Sequence, residues 1–155
     1  MVAIATQTGA RRSEILRSRR EDVDFARGTI TLREKKRTHK QAITFRRVEL
    51  TPFLEKALKE RFAESTSIYT IAQTVNQPVT GCAAHHQLKA SLKNSQFSVI
   101  RGFHVFRHSF VSQLAAGGVD QRIIDEFTGH QSDEMRKRYR HLFPHVRKQA
   151  ILAIT

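Results

Sequence analysis

Apolar residues change their spacing along the chain, and the changes mark out its elements. Val2, Ile4 and Ala5 form an apolar stub resembling the tail of a helix, and Gly9 interrupts it. A short helix follows over residues 11 to about 16, with Ile15 and Leu16 turned inward. Val23 and Phe25 begin a strand, Ala26, Arg27 and Gly28 make a turn, and residues 29–32 alternate apolar and polar as a half-buried strand does. Residues 43–50 return as a third strand. Between the second and third strands lies a tip, residues 35–40, in which every position but Thr38 is lysine, arginine or histidine.

From Thr51 the period becomes helical. Threonine as cap and Pro52 at the first helical position start a helix whose apolar face is Phe53, Leu54, Ala57, Leu58 and Phe62. Residues 65–78 read as a loop with a short extended piece, and residues 83–92 as a helix. After Gly102 the pattern stays helical. One helix covers residues 104–116 and stops at Gly117-Gly118, and a second runs from its cap Asp120 through Phe127. A third, capped by Ser132, carries Tyr139, and beyond Pro144 a final amphipathic segment covers residues 146–154. No repeat or low-complexity linker divides the chain. The expectation is one α+β domain over residues 1–155, mainly helical, with a small three-stranded antiparallel sheet.

Charge brings in a class of partner. The formal net charge is +13 over 155 residues, an excess that opposes compaction by self-repulsion and usually serves polyanion binding. Double-stranded DNA is the expected polyanion. A membrane is not expected, because no apolar run approaches the roughly 18 residues of a spanning helix. The opening residues lack the basic region of a signal peptide. A single cysteine, Cys82, excludes an intrachain disulfide framework and fits a reducing compartment, so a cytoplasmic, DNA-associated location is expected.

The candidate chemistry lies in two stretches. His104-Val-Phe-Arg107-His108 is followed by Gly129-His130 and by Tyr139 within Arg136-Lys-Arg-Tyr-Arg140, while Thr8-Gly9-Ala10-Arg11-Arg12-Ser13-Glu14 stands far upstream. A tyrosine oxygen can attack a phosphodiester, and guanidinium and imidazole groups can hold the phosphate and move protons without a metal. Tyr139 is the better nucleophile of the two tyrosines, since Arg138 and Arg140 favour phenolate, whereas Tyr69 sits between isoleucines with no cationic cluster. Arg11 and Arg107 suit a phosphate clamp, their planar forks matching two non-bridging oxygens. Arg11 can instead pair with Glu14 at i, i+3 on a surface helix, and Arg107, on a helix with Val105, Phe106 and Phe110, is expected to be buried with an anionic partner. His104 lies one turn before Arg107, so both can address one phosphate; His104 and His130 can each donate to oxygen or accept the phenol proton.

These residues resemble the tyrosine recombinase, or phage integrase, family. Thr8-Gly9-x-Arg11-x-x-Glu14 is similar to its first arginine box, His104-x-x-Arg107 to the second, Gly129-His130 to the next histidine position and Tyr139 to the nucleophile. The ordered pieces, with a basic hairpin between the first two boxes, cover nearly the whole chain. The resemblance implies the catalytic domain of a site-specific recombinase that cleaves and rejoins DNA through a covalent 3′-phosphotyrosine. It gives His104 the base-like role, His130 mainly phosphate binding, and Glu14 a buried position orienting a basic group. It makes a hairpin lysine the acid, Lys36 first and Lys35 next. Lys35, Arg37, Lys40, Arg138 and Arg140 are then DNA contacts, and His108 packs beneath the site.

Because a phosphotyrosine ester keeps the energy of the broken bond, neither ATP nor any other cofactor is expected, and no metal. His104-x-x-x-His108 has the i, i+4 spacing of a metal pair, but it lacks the adjacent glutamate of such motifs and Arg107 between them would repel a dication. The resemblance further implies a tetramer on DNA for the full-length protein and a monomer or weak dimer for this chain. The expectation is a catalytic-domain piece without the family's N-terminal DNA-clamping domain or the start of the catalytic domain. Two rival readings stand beside it: a type IB topoisomerase-like enzyme, and a non-catalytic module in which residues 113–124 form a helix-turn-helix.

Overall fold

The computed structural model describes residues 1–34, 44–75 and 77–129. Helix α1, Val2–Thr8, is closed by Gly9, whose φ of 61° is left-handed and whose N–H donates to the Ala5 carbonyl at 3.1 Å. A side chain here is excluded twice over: by that φ, and because a Cβ would lie 2.5 Å from Cδ1 of Phe110. Helix α2, Arg12–Arg17, starts at Arg11 as its extended cap. A single 3₁₀ turn, Arg20–Asp22, then leads into the sheet.

Strands β1 (Val23–Asp24), β2 (Thr29–Arg33) and β3 (Phe45–Glu49) form an antiparallel sheet in the order β1-β2-β3. Ile30 pairs with Val48 and Leu32 with Arg46, so an arginine shares the buried face with three aliphatic side chains. Phe45, one residue earlier, points outward and is 59% exposed. On this strand the apolar residue faces out and the cation faces in.

Helix α3, Pro52–Glu64, begins as its sequence predicts, with Thr51 Oγ1 accepting from the Leu54 N–H at 3.3 Å. Its buried stripe is Leu54 and Leu58, with Ala57 and Phe62 partly buried. Phe53 does not belong to it and is 62% exposed, because one residue rotates about 100° around a helix. The stretch expected as a loop with a short extended piece holds two such pieces, β4 (Ala72–Thr74) paired against β5 (Gln77–Pro78). Helix α4, Gly81–Leu92, starts two residues earlier than predicted, because Thr80 Oγ1 caps it by accepting from the Ala83 N–H.

Helix α5, His104–Ala116, and helix α6, Gln121–Thr128, match their predicted spans closely. Asp120 Oδ1 caps α6 by accepting from the Arg122 N–H at 2.8 Å. On α5, Phe106 and Phe110 are buried while Val105 lies at the surface. Helix α1 packs on α3 and α5, α2 on β2 and α4, and α6 on β3 and α5. Ile4, Ile15, Ile30, Leu32 and Leu54 are at the centre of the resulting core. The architecture is mainly helical with a small three-stranded antiparallel sheet, as expected. The predicted helices after Ser132 and Pro144 lie outside the described residues.

Candidate active site

Two helix starts and one carboxylate build the site. Glu14, 1% exposed, closes the first turn of α2 by accepting the Arg11 N–H on Oε2 at 2.8 Å. Its Oε1 accepts from Nη1 of Arg11 at 2.9 Å. The pair is therefore no surface ion pair, since its acidic half is wholly enclosed. Glu14 Oε2 also accepts from Nη2 of the buried Arg46 at 2.6 Å. Burial alone would push the Glu14 carboxyl up, but hydrogen bonds and charge from Arg46, together with the bonds from Arg11, hold it below its ordinary value.

Arg107 is 5% exposed on α5 and reaches two helix ends. Nη1 donates to the Gly9 carbonyl behind α1 at 2.7 Å, and Nη2 donates to the Thr128 carbonyl at the end of α6. In both of these bonds the acceptors are main-chain oxygens. Those are the carbonyls that helices leave unpaired at their negative ends, which suits a guanidinium. Gly129 follows with φ 65° and ψ 147°, a conformation essentially restricted to glycine. It brings the chain out of α6 immediately before His130.

Arg11, Arg107 and exposed His104 then line one cleft of about 300 Å³, together with Arg12, Arg101, His85, Ala10, Ser13, Gly102 and Phe103. No carboxylate is among these lining residues. The first turn of α5 forms one wall, so the positive end of its dipole adds to the cations. Such a lining suits an anion of phosphate-like charge. Among the described residues no cluster of three or more His, Cys, Asp or Glu is placed to hold a metal ion.

His108 is half-buried on α5 and is not among the residues of the cleft. Tyr69 is half-buried too, away from the cleft, and pairs with Arg19 in an isolated β-bridge. Lys35, Lys36, Arg37, Lys40, His130, Arg138, Tyr139 and Arg140 lie outside the described residues.

The sequence profile of the Phage integrase family matches residues 1–145. The chain belongs to the phage integrase family. Over 139 residues it is 27% identical to tyrosine recombinase XerC of Oceanobacillus iheyensis, which covers 87% of this chain and 46% of the relative. The chain thus spans about half the length of the curated relatives it matches. The catalytic domain of bacteriophage HP1 integrase superposes with a TM-score of 0.65 at 23% identity, covering 97% of this chain and 77% of that one. The site-specific recombinase XerH, bound to palindromic difH substrate in a post-cleavage complex, superposes with a TM-score of 0.73 at 22% identity, covering 97% and 43%. These likenesses establish that the fold is that of integrase catalytic domains.

In this phage integrase family chain, sequence reasoning missed Arg46, Glu34, Arg12, Arg101 and His85. Arg46 carried a usable signal: stepping back by two from Leu50 and Val48, which face inward on a strand, lands on it. Arg12 stood beside a residue already singled out. His85 carried no local signal, because the packing of α2 on α4 brings it to the cleft, whereas Arg101 stands three residues before His104.

Proposed function

We propose that residues 1–155 form one catalytic domain of a site-specific DNA recombinase, which cuts and rejoins strands through a 3′-phosphotyrosine. The observation that carries this is the convergence of Arg11, His104 and Arg107, from segments far apart in the chain, on a basic cleft free of lining carboxylates. Family membership and the recombinases that share the fold support the same reading.

In the proposed step, the Tyr139 oxygen forms a bond to the scissile phosphorus and the bond to the deoxyribose 5′ oxygen breaks. The phenol proton passes to His104, and a proton from Lys36 or Lys35 goes to the leaving oxygen. Arg11 and Arg107, with His130, hold the non-bridging oxygens as charge gathers on them. Arg107 suits this role because its guanidinium is fixed by the Gly9 and Thr128 carbonyls and so needs little reordering when a phosphate arrives. Glu14 sets Arg11 from behind. Rejoining is the same step reversed, with the bond energy stored in the phosphotyrosine. The non-catalytic helix-turn-helix reading accounts for the charge but not for this convergence.

A suicide duplex nicked near its cleavage position tests the proposal. The full chain should form a covalent 3′-phosphotyrosyl adduct, and Tyr139→Phe should abolish it while leaving DNA binding nearly unchanged. An equal adduct yield from Tyr139→Phe would place the nucleophile elsewhere. Relaxation of a supercoiled plasmid with no exchange of strands between paired sites would instead favour a topoisomerase-like enzyme.

A further inference from the structure

Arg46 occupies a strand position where the fold itself calls for an apolar side chain. Its cross-strand partner is Leu32, its neighbour on the same face is Val48, and it is 7% exposed. Replacing a buried ion pair by packed apolar groups is often neutral or stabilising, so the pair itself is weak evidence of a purely stabilising role. What distinguishes Arg46 is the set of acceptors it joins. Nη2 donates to Glu14 on α2 at 2.6 Å, Nε donates to the Phe127 carbonyl on α6 at 2.7 Å, and Nη1 lies 3.4 Å from Oε1 of Glu34 beyond β2.

We infer that Arg46 is a positioning residue for the two-arginine clamp, acting through Glu14 on Arg11 and through the end of α6 on Arg107. This rests on the proposed function. On the Arg11 side, Glu14 holds the backbone and guanidinium of Arg11, and Arg46 holds Glu14. On the Arg107 side, the Phe127 carbonyl bound by Arg46 directly precedes the Thr128 carbonyl bound by Arg107, so one turn of backbone is gripped by both guanidiniums.

Charge acts in the same direction as geometry. Arg11 lies 2.9 Å from Glu14 and 3.8 Å from Glu34. With Arg46 present, two guanidiniums share these two carboxylates, and Glu14 is not left to pair with Arg11 alone. Without Arg46, both carboxylates turn their charge on Arg11, which then meets a phosphate as a cation already neutralised.

The test is single-turnover cleavage by the full chain on three suicide duplexes. One carries the natural scissile phosphate. A second carries a methylphosphonate there, whose missing non-bridging charge removes the need for a clamp. The third has sulfur at the bridging 5′ position, a leaving group that needs no acid. Arg46→Lys keeps a buried cation beside Glu14 but cannot span three acceptors. It should slow cleavage of the natural phosphate about ten- to a hundred-fold, short of the roughly thousand-fold limit for a lost direct donor. The methylphosphonate should restore it to nearly the parent's rate, and the sulfur substrate should not.

Equal slowing on all three substrates would make Arg46 merely structural. Recovery on the sulfur substrate alone would place its action on the hairpin acid. An unslowed variant would leave it without a role. Each of these overturns the inference while parent cleavage stands. A parent that forms no adduct on the natural phosphate instead overturns the proposed function. If Arg46→Lys does not fold, the double variant Arg46→Gln/Glu14→Gln removes both buried charges and faces the same comparison. Its slowing too should be relieved by the methylphosphonate, and slowing that persists there refutes positioning.

Discussion

Two groups of arginines meet at Arg11, and they are arranged on opposite principles. Behind it, Arg46 is enclosed with Glu14 and Glu34, and Arg33 pairs with buried Asp22 at 2.6 Å. In front of it, Arg12, Arg101 and Arg107 line a cleft with no carboxylate among its described lining residues. The rear group is balanced and holds elements together. The front group keeps a surplus of positive charge, which the fold tolerates because Arg107 is satisfied by helix-end carbonyls and Arg12 and Arg101 stay in water. An arginine accompanied by its own acid is built into the structure. One gathered with other cations awaits an anion from outside.

The sharpest way to break this comparison is to unbalance the rear group. Glu14→Ala leaves Arg46 buried without its main counter-charge and should cost about 3–5 kcal/mol in denaturant unfolding, the scale for breaking a buried pair. A loss under 1 kcal/mol would show that the rear group is not held by charge. The effect has a pH signature. Glu14 titrates below its ordinary value of 4.5 when folded, so its contribution is complete above the unfolded value and disappears as pH falls through the folded one. Glu14→Gln should therefore flatten the acid limb of the stability curve between the unfolded and folded values, and an unchanged limb would assign acid lability to other carboxylates.

Next comes the front group. Arg107→Lys keeps the charge but loses the fork, and single-turnover cleavage should fall by about 2.7–4 kcal/mol of barrier, roughly a hundred- to a thousand-fold. A rate within threefold of the parent would remove Arg107 from the clamp. Arg12→Ala should leave stability nearly untouched and instead reduce the slope of log affinity for DNA against log salt by about 0.9, one phosphate contact. An unchanged slope would mean that Arg12 faces the cleft without touching DNA.

The smallest effect serves as the control. Lys59 pairs with Glu55 at 2.6 Å on the exposed side of α3, in neither group. Lys59→Ala should cost only about 0.3–0.5 kcal/mol in thermal unfolding, as exposed i, i+4 pairs do. A loss as large as that of Glu14→Ala would erase the distinction between enclosed and exposed charge.

Much of the fold was readable in the chain because the deciding interactions are local. Thr51 before Pro52, Asp120 before Gln121 and Gly9 after Thr8 mark helix ends by chemistry within a few residues, and the structure puts the ends there. The strands and turn over residues 23–32 follow from alternation and from Gly28 in the same way. Family membership was readable as well, since the boxes are local words in a fixed order. Tertiary structure alone decided which residues stand together. It turned Phe53 and Phe45 outward and Arg46 inward, gave Arg107 carbonyls from two distant helix ends, and brought His85 and Arg101 to a cleft whose other wall is Arg11. Periodicity reports whether a side chain is apolar, not which segment will cover it. A buried cation is acceptable only where distant segments deliver its oxygens, and those oxygens belong to residues up to 98 positions away.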